Sequence, residues 1–225
     1  MKLSYCKFAM LGLLVAGGVA QAGTNGFYAP TWRGTANTEA GYWEVFTVAA
    51  GAPGNLADRA GSTTGAGLTQ NNPTSFLTGS GNIYNPAGLS DFTLTDSTPF
   101  TLGTVLLQTR SIGSELDYNS ISFSYTDVNG VHTVAPLFRF ETDRSIVPGM
   151  GANVSSLWQW DLTGLGVTDY TITFAAADTS LSFDSLTLDT AAVFSVVPEP
   201  ATAVLGALGG VWLLVARKRF QGGQV

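Results

Sequence analysis

The sequence predicts an all-β body, a two-sheet antiparallel sandwich of jelly-roll type, and three observations lead to that prediction. Between residues 23 and 197, short stretches alternate apolar and polar side chains, turn residues separate these stretches, and no stretch has the period of an amphipathic helix. The clearest stretch is a hairpin, in which Ile121, Phe123 and Tyr125 alternate with polar residues before the turn pair Asn129-Gly130. Many short strands joined by such turns are typical of sandwiches.

Eight or nine strands are expected in chain order. Besides the hairpin strands at 120–126 and 131–134, the candidates are residues 42–48, 91–95, 101–108, 137–140, 158–162, 170–174 and 181–188. In the last of these the apolar phase shifts after Phe183, which predicts a β-bulge near Asp184 or Ser185. The segment from 49 to 81 is rich in Gly, Ser, Thr and Asn without an apolar period, so we expect a surface loop or cover there, with partial disorder as the alternative.

The charge and the scarce residue types exclude several classes of function. The whole chain has a net charge of −6, and residues 23–197 carry five arginines and no lysine against 15 acidic residues, a net of −10. Such a surface repels phosphate backbones, so no nucleic-acid partner is expected. The single cysteine, Cys6, excludes a disulfide framework, and the single histidine, His132, excludes a two-histidine metal site. No cofactor is expected.

The N-terminal residues 1–22 have the layout of a secretory signal peptide. Two lysines precede a 12-residue apolar core, and Ala20 and Ala22 then supply the small residues that a signal peptidase recognises. Cleavage is expected after Ala22, so that the exported chain begins at Gly23 and the sandwich domain occupies residues 23–190.

The C-terminal residues have a different layout. A linker over 191–200 ends in Val197-Pro198-Glu199-Pro200, and its prolines prevent helix at that point. An apolar run over 201–216 follows, which as a helix is about 24 Å long, and then the cluster Arg217-Lys218-Arg219 at the start of a basic tail over 217–225. The order predicts a single membrane helix whose basic end stays in the cytoplasm, with the body outside.

This ending, VPEPATAVLGALGGVWLLVARKRF, resembles the PEP-CTERM sorting signal of Gram-negative bacteria that make exopolysaccharide. The resemblance covers about a tenth of the chain. It implies export across the inner membrane, transient anchoring, recognition of Pro198-Glu199-Pro200 by the membrane enzyme exosortase, and release to the cell surface or the extracellular matrix. The stretches WQWDLTGLGV and SFDSLTLDT faintly resemble the last strands of secreted carbohydrate-binding jelly rolls.

Two arrangements of ionisable residues could support catalysis in the body. A Ser-His-Asp triad would need His132 as its base, with Asp127 opposite it across the predicted hairpin turn. No G-x-S-x-G motif accompanies it, and a surface histidine is the simpler interpretation. A glycosidase needs two carboxyl groups about 5 to 10 Å apart. Such a pair could come from Glu39 with Glu44 or from Glu115 with Asp117. Fifteen acidic residues make such pairs unavoidable, so solvated acids remain the default interpretation.

Calcium and sugars are the remaining ligand classes. The stretch Asp127-Val128-Asn129-Gly130 has the start of a calcium loop but lacks its later ligands, so turn chemistry explains it, and a structural calcium ion elsewhere stays an alternative. Trp158 and Trp160 share a predicted strand face with apolar neighbours and are expected in the core. Trp32 and Trp43 flank a polar stretch and are the candidates for stacking on a sugar ring.

These observations favour an exported, non-enzymatic sandwich that has a structural or glycan-binding role at the cell surface or in the exopolysaccharide matrix. The alternatives are a polysaccharide-active enzyme with an acid pair and a calcium-dependent adhesin. The expected partners are signal peptidase and exosortase during export, the membrane through residues 201–216, and the exopolysaccharide itself.

Overall fold

A computed structural model describes residues 26–197 together with the backbone of the short strand at 21–22. Several predicted features lie outside the described residues. They are the signal peptide before residue 21, Gly23 as the first residue of the exported chain, the motif Pro198-Glu199-Pro200, the membrane helix at 201–216 and the cluster Arg217-Lys218-Arg219. Within the described ranges, no helix has the length and apolar character needed to cross a membrane.

The body from Gln21 to Val197 is all-β, as predicted. The strands in the described part of the chain are β1 (Gln21–Ala22), β2 (Tyr28–Ala29), β3 (Thr38–Trp43), β4 (Asn55–Leu56), β5 (Gly67–Gln70), β6 (Phe76–Leu77), β7 (Ile83–Asn85), β8 (Asp91–Ser97), β9 (Thr104–Gly113), β10 (Leu116–Asp127), β11 (Gly130–Val134), β12 (Phe138–Val147), β13 (Gly151–Asp161), β14 (Asp169–Ala176) and β15 (Leu181–Ala191).

Two antiparallel sheets form the sandwich. The seven-stranded sheet has the order β12-β13-β9-β15-β7-β6, with β3 also paired to β15, and the six-stranded sheet has the order β11-β10-β14-β8-β5-β4. Strands β1 and β2 form a separate two-stranded ladder. The sandwich is therefore confirmed at the level of two antiparallel sheets.

The core lies between the two sheets and is aromatic. Phe92 of the six-stranded sheet meets Phe183 of the seven-stranded sheet with ring centroids 4.5 Å apart, and Phe123 meets Trp160 at 5.6 Å. Trp158 and Trp160 are both buried, as their alternation with polar residues predicts. Aromatic pairs at these separations add to the free energy of burying the rings.

Several local predictions are confirmed and others are wrong. The predicted hairpin is confirmed, because β10 and β11 pair up to Asp127 and Gly130. The predicted bulge is confirmed as well, because the register between β15 and β9 shifts between Phe183 and Ser185. The segment 49–81 is not one loop, because it contributes β4, β5 and β6 to the sheets. Strands of two to four residues are too short for an apolar period to show.

The seven-stranded sheet is buried on both faces along its central strands, because two segments that flank the sandwich strands cover its outer face. We call residues 26–37 the N-terminal strap and residues 192–197 the C-terminal strap. Tyr28 of the first and Val197 of the second pack against Leu106 and Leu157, which point away from the main core. The C-terminal strap was expected to be part of a linker; instead it packs on the body, and Val197 is only 3% exposed.

Candidate functional site

The two straps meet at a cavity of about 320 Å³ that contains Trp32. Residues 31–38 form one wall and residues 191–195 form the other. The straps are joined there by a hydrogen bond that the Ala192 N–H donates to the Asn37 carbonyl, 3.0 Å away. Asn37 adopts a φ of 56°, a left-handed conformation that asparagine tolerates better than most residues. We call this the Trp32 cavity.

The chain around Trp32 is held in tight turns by its own threonines. The Thr35 hydroxyl donates to the Trp32 carbonyl at 2.7 Å, and the Thr38 hydroxyl donates to the Thr35 carbonyl at 2.7 Å. Such local bonds from hydroxyls to backbone favour turns over regular strands. They keep Trp32 half-buried at the cavity wall, where its indole ring is partly accessible.

The lining of the Trp32 cavity is uncharged. Its ten residues are Thr31, Trp32, Thr35, Ala36, Asn37, Thr38, Ala191, Ala192, Val193 and Ser195. An aromatic face surrounded by hydroxyl and amide groups suits a small polar ligand that also has an apolar face, which is the character of a pyranose ring. The volume lies at the lower end of the range for small-ligand sites.

A glutamine side chain holds each strap in the manner of a neighbouring strand. Gln108 accepts a hydrogen bond from the Tyr28 N–H at 2.7 Å and donates one to the Tyr28 carbonyl at 2.8 Å. Gln159 donates to the Ser195 carbonyl at 2.6 Å and accepts from the Val197 N–H at 3.0 Å. Both glutamines are fully buried, so each amide satisfies a backbone donor and acceptor that would otherwise lack partners.

A buried ion pair fixes the N-terminal strap further. Asp189 is completely buried on β15 and accepts hydrogen bonds from Arg33 Nε at 2.5 Å and Nη2 at 2.7 Å. The Arg33 guanidinium also lies over the Tyr42 ring, 5.0 Å from its centroid. Burial raises the Asp189 pKa to about 6 although Arg33 pulls it down, so removing this carboxyl group from water outweighs the attraction of its partner.

Trp43 does not belong to a binding surface, and its predicted role in stacking is wrong. The side chain is 1% exposed, and its indole N–H donates to the Asn55 carbonyl at 2.9 Å. The ring lies against Gly41, where an added Cβ would come within 2.7 Å of it. Its burial could not be predicted locally, because the strand β4 that accepts its hydrogen bond was not recognised in the sequence.

The first possible acid pair is far apart. Glu39 lies on β3 with its side chain directed inward, and burial together with Asp96 raises its pKa. Glu44 follows the end of β3 and forms an ion pair with Arg59. Five residues of extended chain span about 16 Å. Since glycosidase carboxyl groups lie about 5 to 10 Å apart, this pair does not fit.

The second possible acid pair, Glu115 with Asp117, lines an open cavity of about 500 Å³. Both Glu115 oxygens accept hydrogen bonds from Arg144, at 2.7 and 2.8 Å, and the Tyr118 hydroxyl donates to one of them at 2.9 Å. These bonds lower the Glu115 pKa. A general acid needs a raised pKa, so Glu115 has the wrong electrostatics for that role.

His132 and Asp127 contact each other at the end of the β10–β11 hairpin. His132 Nε2 lies 2.8 Å from Asp127 Oδ1, and the imidazole stacks on Tyr125 at the exposed end of the hairpin. The Asn129 N–H also donates to Asp127, and these hydrogen bonds lower the Asp127 pKa. In the part of the chain that the structure describes, no group of three or more His, Cys, Asp or Glu side chains comes together to hold a metal ion.

No family model, curated protein or solved structure matches this chain.

Proposed function

We propose that this protein is exported, sorted by its C-terminal signal to the cell surface or exopolysaccharide matrix of a Gram-negative bacterium, and acts there as a non-enzymatic jelly-roll protein that binds a neutral polysaccharide. Signal peptidase removes residues 1–22, and exosortase acts at Pro198-Glu199-Pro200 while residues 201–216 cross the inner membrane. The observation that carries the binding role is Trp32 at the wall of an uncharged, hydroxyl-lined cavity.

The strand order supports the jelly-roll arrangement. Successive strands β7, β8, β9 and β10 alternate between the two sheets. One sheet contains the run β7-β15-β9-β13, and the other contains the run β8-β14-β10-β11. Antiparallel strands that alternate in this way are typical of jelly rolls, which include many lectin domains.

The ionisable groups support binding rather than hydrolysis. The Glu115 carboxyl is held ionised by Arg144, and Glu39 on β3 lies too far from Glu44, which follows that strand, for the geometry of a glycosidase. The Trp32 cavity contains no carboxyl group among its lining residues. A site with an aromatic face and neutral hydrogen-bonding groups can hold a sugar but has no acid with which to cleave it.

The charge of the body supports a neutral ligand. Residues 23–197 carry a net charge of −10, so a polyanionic glycan is repelled at long range. The uncharged lining offers no compensating cation at short range. A neutral hexose polymer meets neither penalty.

The binding role is tested with protein released from cells and a panel of neutral and acidic polysaccharides, measured by affinity electrophoresis. Wild type is expected to bind a neutral member. The Trp32→Ala variant is expected to bind it at least about tenfold more weakly, since an aromatic face contributes about 1.5–3 kcal/mol when buried. Trp32→Phe, which keeps a stacking ring, is the matched control and should retain most of the affinity.

The same experiment separates the alternatives. Equal affinity of wild type and Trp32→Ala for the polysaccharide would refute the Trp32 cavity as the binding site. Loss of binding on adding a chelator would favour the calcium-dependent adhesin instead, and shortening of the polysaccharide on incubation would favour the enzyme. Thermal melts of the variants show whether a loss of binding reflects the cavity or the fold.

A further inference from the structure

A second uncharged cavity, of about 470 Å³, lies at the other end of β15. Its eight lining residues are Thr78, Tyr84, Ile112, Gly113, Gly149, Met150, Ser180 and Ser182. We call it the Tyr84 groove. Like the Trp32 cavity, it combines one aromatic ring with several hydroxyl groups, and none of its lining side chains carries a charge.

The aromatic wall of the Tyr84 groove continues onto the surface. The Tyr84 ring packs edge-on against Phe76, with centroids 5.4 Å apart, and Phe76 is 47% exposed. Met150, at the turn between β12 and β13, is 63% exposed. Small-ligand sites are typically lined by apolar and aromatic side chains with a few polar groups, and the Tyr84 groove has this composition.

Both cavities open on the outer face of the seven-stranded sheet. Tyr84 is the cross-strand partner of Ser182 in the β7–β15 ladder, and the neighbours Ile83 and Phe183 point into the core, so Tyr84 and Ser182 point outward. At the other end of β15, Ala191 lines the Trp32 cavity. Ser182 and Ala191 are nine residues apart on one strand, which corresponds to about 30 Å.

From this placement we propose that the Tyr84 groove is a second subsite for the same neutral polysaccharide, so that one chain of about 30 Å, passing over the N-terminal strap between the two ends of β15, occupies both cavities. The inference rests on the proposed binding role of the Trp32 cavity. Its consequence is a preference for polymers, because the second contact of one chain is intramolecular and has a high effective concentration. A short fragment can occupy only one cavity at a time.

The test uses the released protein, a panel of neutral polysaccharides (glucan, mannan and galactan) and three-sugar fragments of whichever polymer binds, in titration calorimetry. Wild type is expected to bind two fragments per protein and to bind the polymer about 100-fold more tightly than a fragment. Tyr84→Ala is expected to bind one fragment and to lose most of the preference for polymer. Tyr84→Phe keeps the ring and should behave as wild type.

A second variant guards against a folding artefact. Met150→Glu changes an exposed turn residue, introduces a charge into the groove, and should lose the second fragment while melting at the same temperature as wild type. Binding of a single fragment by wild type, abolished by Trp32→Ala, would overturn the second subsite and leave the proposed function standing. An unchanged affinity of Tyr84→Ala for the polymer would also overturn the second subsite and leave the proposed function standing. If wild type binds no neutral polysaccharide, both the second subsite and the proposed function are overturned.

Discussion

Replacing Gln159 with alanine should release the C-terminal strap while the sandwich stays folded. The Gln159 amide makes two hydrogen bonds to the strap, to the Ser195 carbonyl at 2.6 Å and from the Val197 N–H at 3.0 Å. Thr104 makes weaker contacts to the same segment, at 3.1 and 3.2 Å. Gln159 is therefore the main polar restraint between the body and the residue that precedes Pro198.

The size of the effect follows from these two bonds. Each contributes about 1 kcal/mol net, so the free energy of opening the strap falls by about 2 kcal/mol. Because the freed strap can reach water, its backbone groups need not remain buried without partners. A change of this size corresponds to an increase of about 30-fold in the equilibrium constant for opening.

Hydrogen exchange of the Val197 amide measures that opening directly. In Gln159→Ala, exchange at Val197 should be about 30-fold faster than in wild type, with little change in the core strands. Gln108→Ala is the control for the other strap, because it removes the equivalent pair of bonds to Tyr28, together with one to Thr187 on β15, and should accelerate exchange at Tyr28 but not at Val197. An unchanged Val197 rate in Gln159→Ala, or equal acceleration in both variants, would refute the role assigned to this glutamine.

Three further predictions concern the ion pair, the core and the chain ends. Burial raises the Asp189 pKa from 3.8 to about 6, so the contribution of Asp189 to stability is full below about pH 4 and decreases by about 3 kcal/mol as the pH rises through 6. The difference in urea-unfolding free energy between wild type and an Arg33→Met, Asp189→Leu double variant should show this dependence on pH. A difference that does not change with pH would contradict it. Trp43→Ala should cost about 3–5 kcal/mol in urea unfolding, since it truncates a buried ring, and a cost below about 1 kcal/mol, as for surface substitutions, would show that Trp43 is not part of the core. Mass spectrometry of the released protein should find Gly23 at its N-terminus. Changing Pro198-Glu199-Pro200 to three alanines should leave uncut protein in the inner membrane. Release of that variant with the wild-type C-terminus would rule out the motif as the recognition element.

Much of the fold could be predicted from the sequence because its strands leave a two-residue pattern. The hairpin around Asn129-Gly130, the bulge after Phe183 and the burial of Trp158 and Trp160 each depend on neighbours within a few residues. The short strand β4 left no such pattern. The sequence therefore contains no local sign that Trp43, whose burial depends on β4, lies in the core.

The site could be predicted only in part, because its geometry depends on contacts between distant residues. Trp32 was recognised as a tryptophan in a polar stretch, but the cavity needs the C-terminal strap more than 150 residues later. Gln108 lies 80 residues from Tyr28, and Arg33 lies 156 residues from Asp189. The local signal for a glutamine that holds a strap is its place between apolar neighbours in a strand, as for Gln159 in Trp158-Gln159-Trp160.

The most direct test of the proposed function is the distribution of the protein between polysaccharide matrix and culture medium, for wild type and Trp32→Ala expressed in the same cells. Wild type should be recovered with the sedimented matrix. The Trp32→Ala variant should be released with the same two termini but remain in the medium, because only binding depends on the cavity. Retention of Trp32→Ala in the matrix at the wild-type level, or recovery of wild type free in the medium, would contradict a protein that is sorted outward in order to bind polysaccharide.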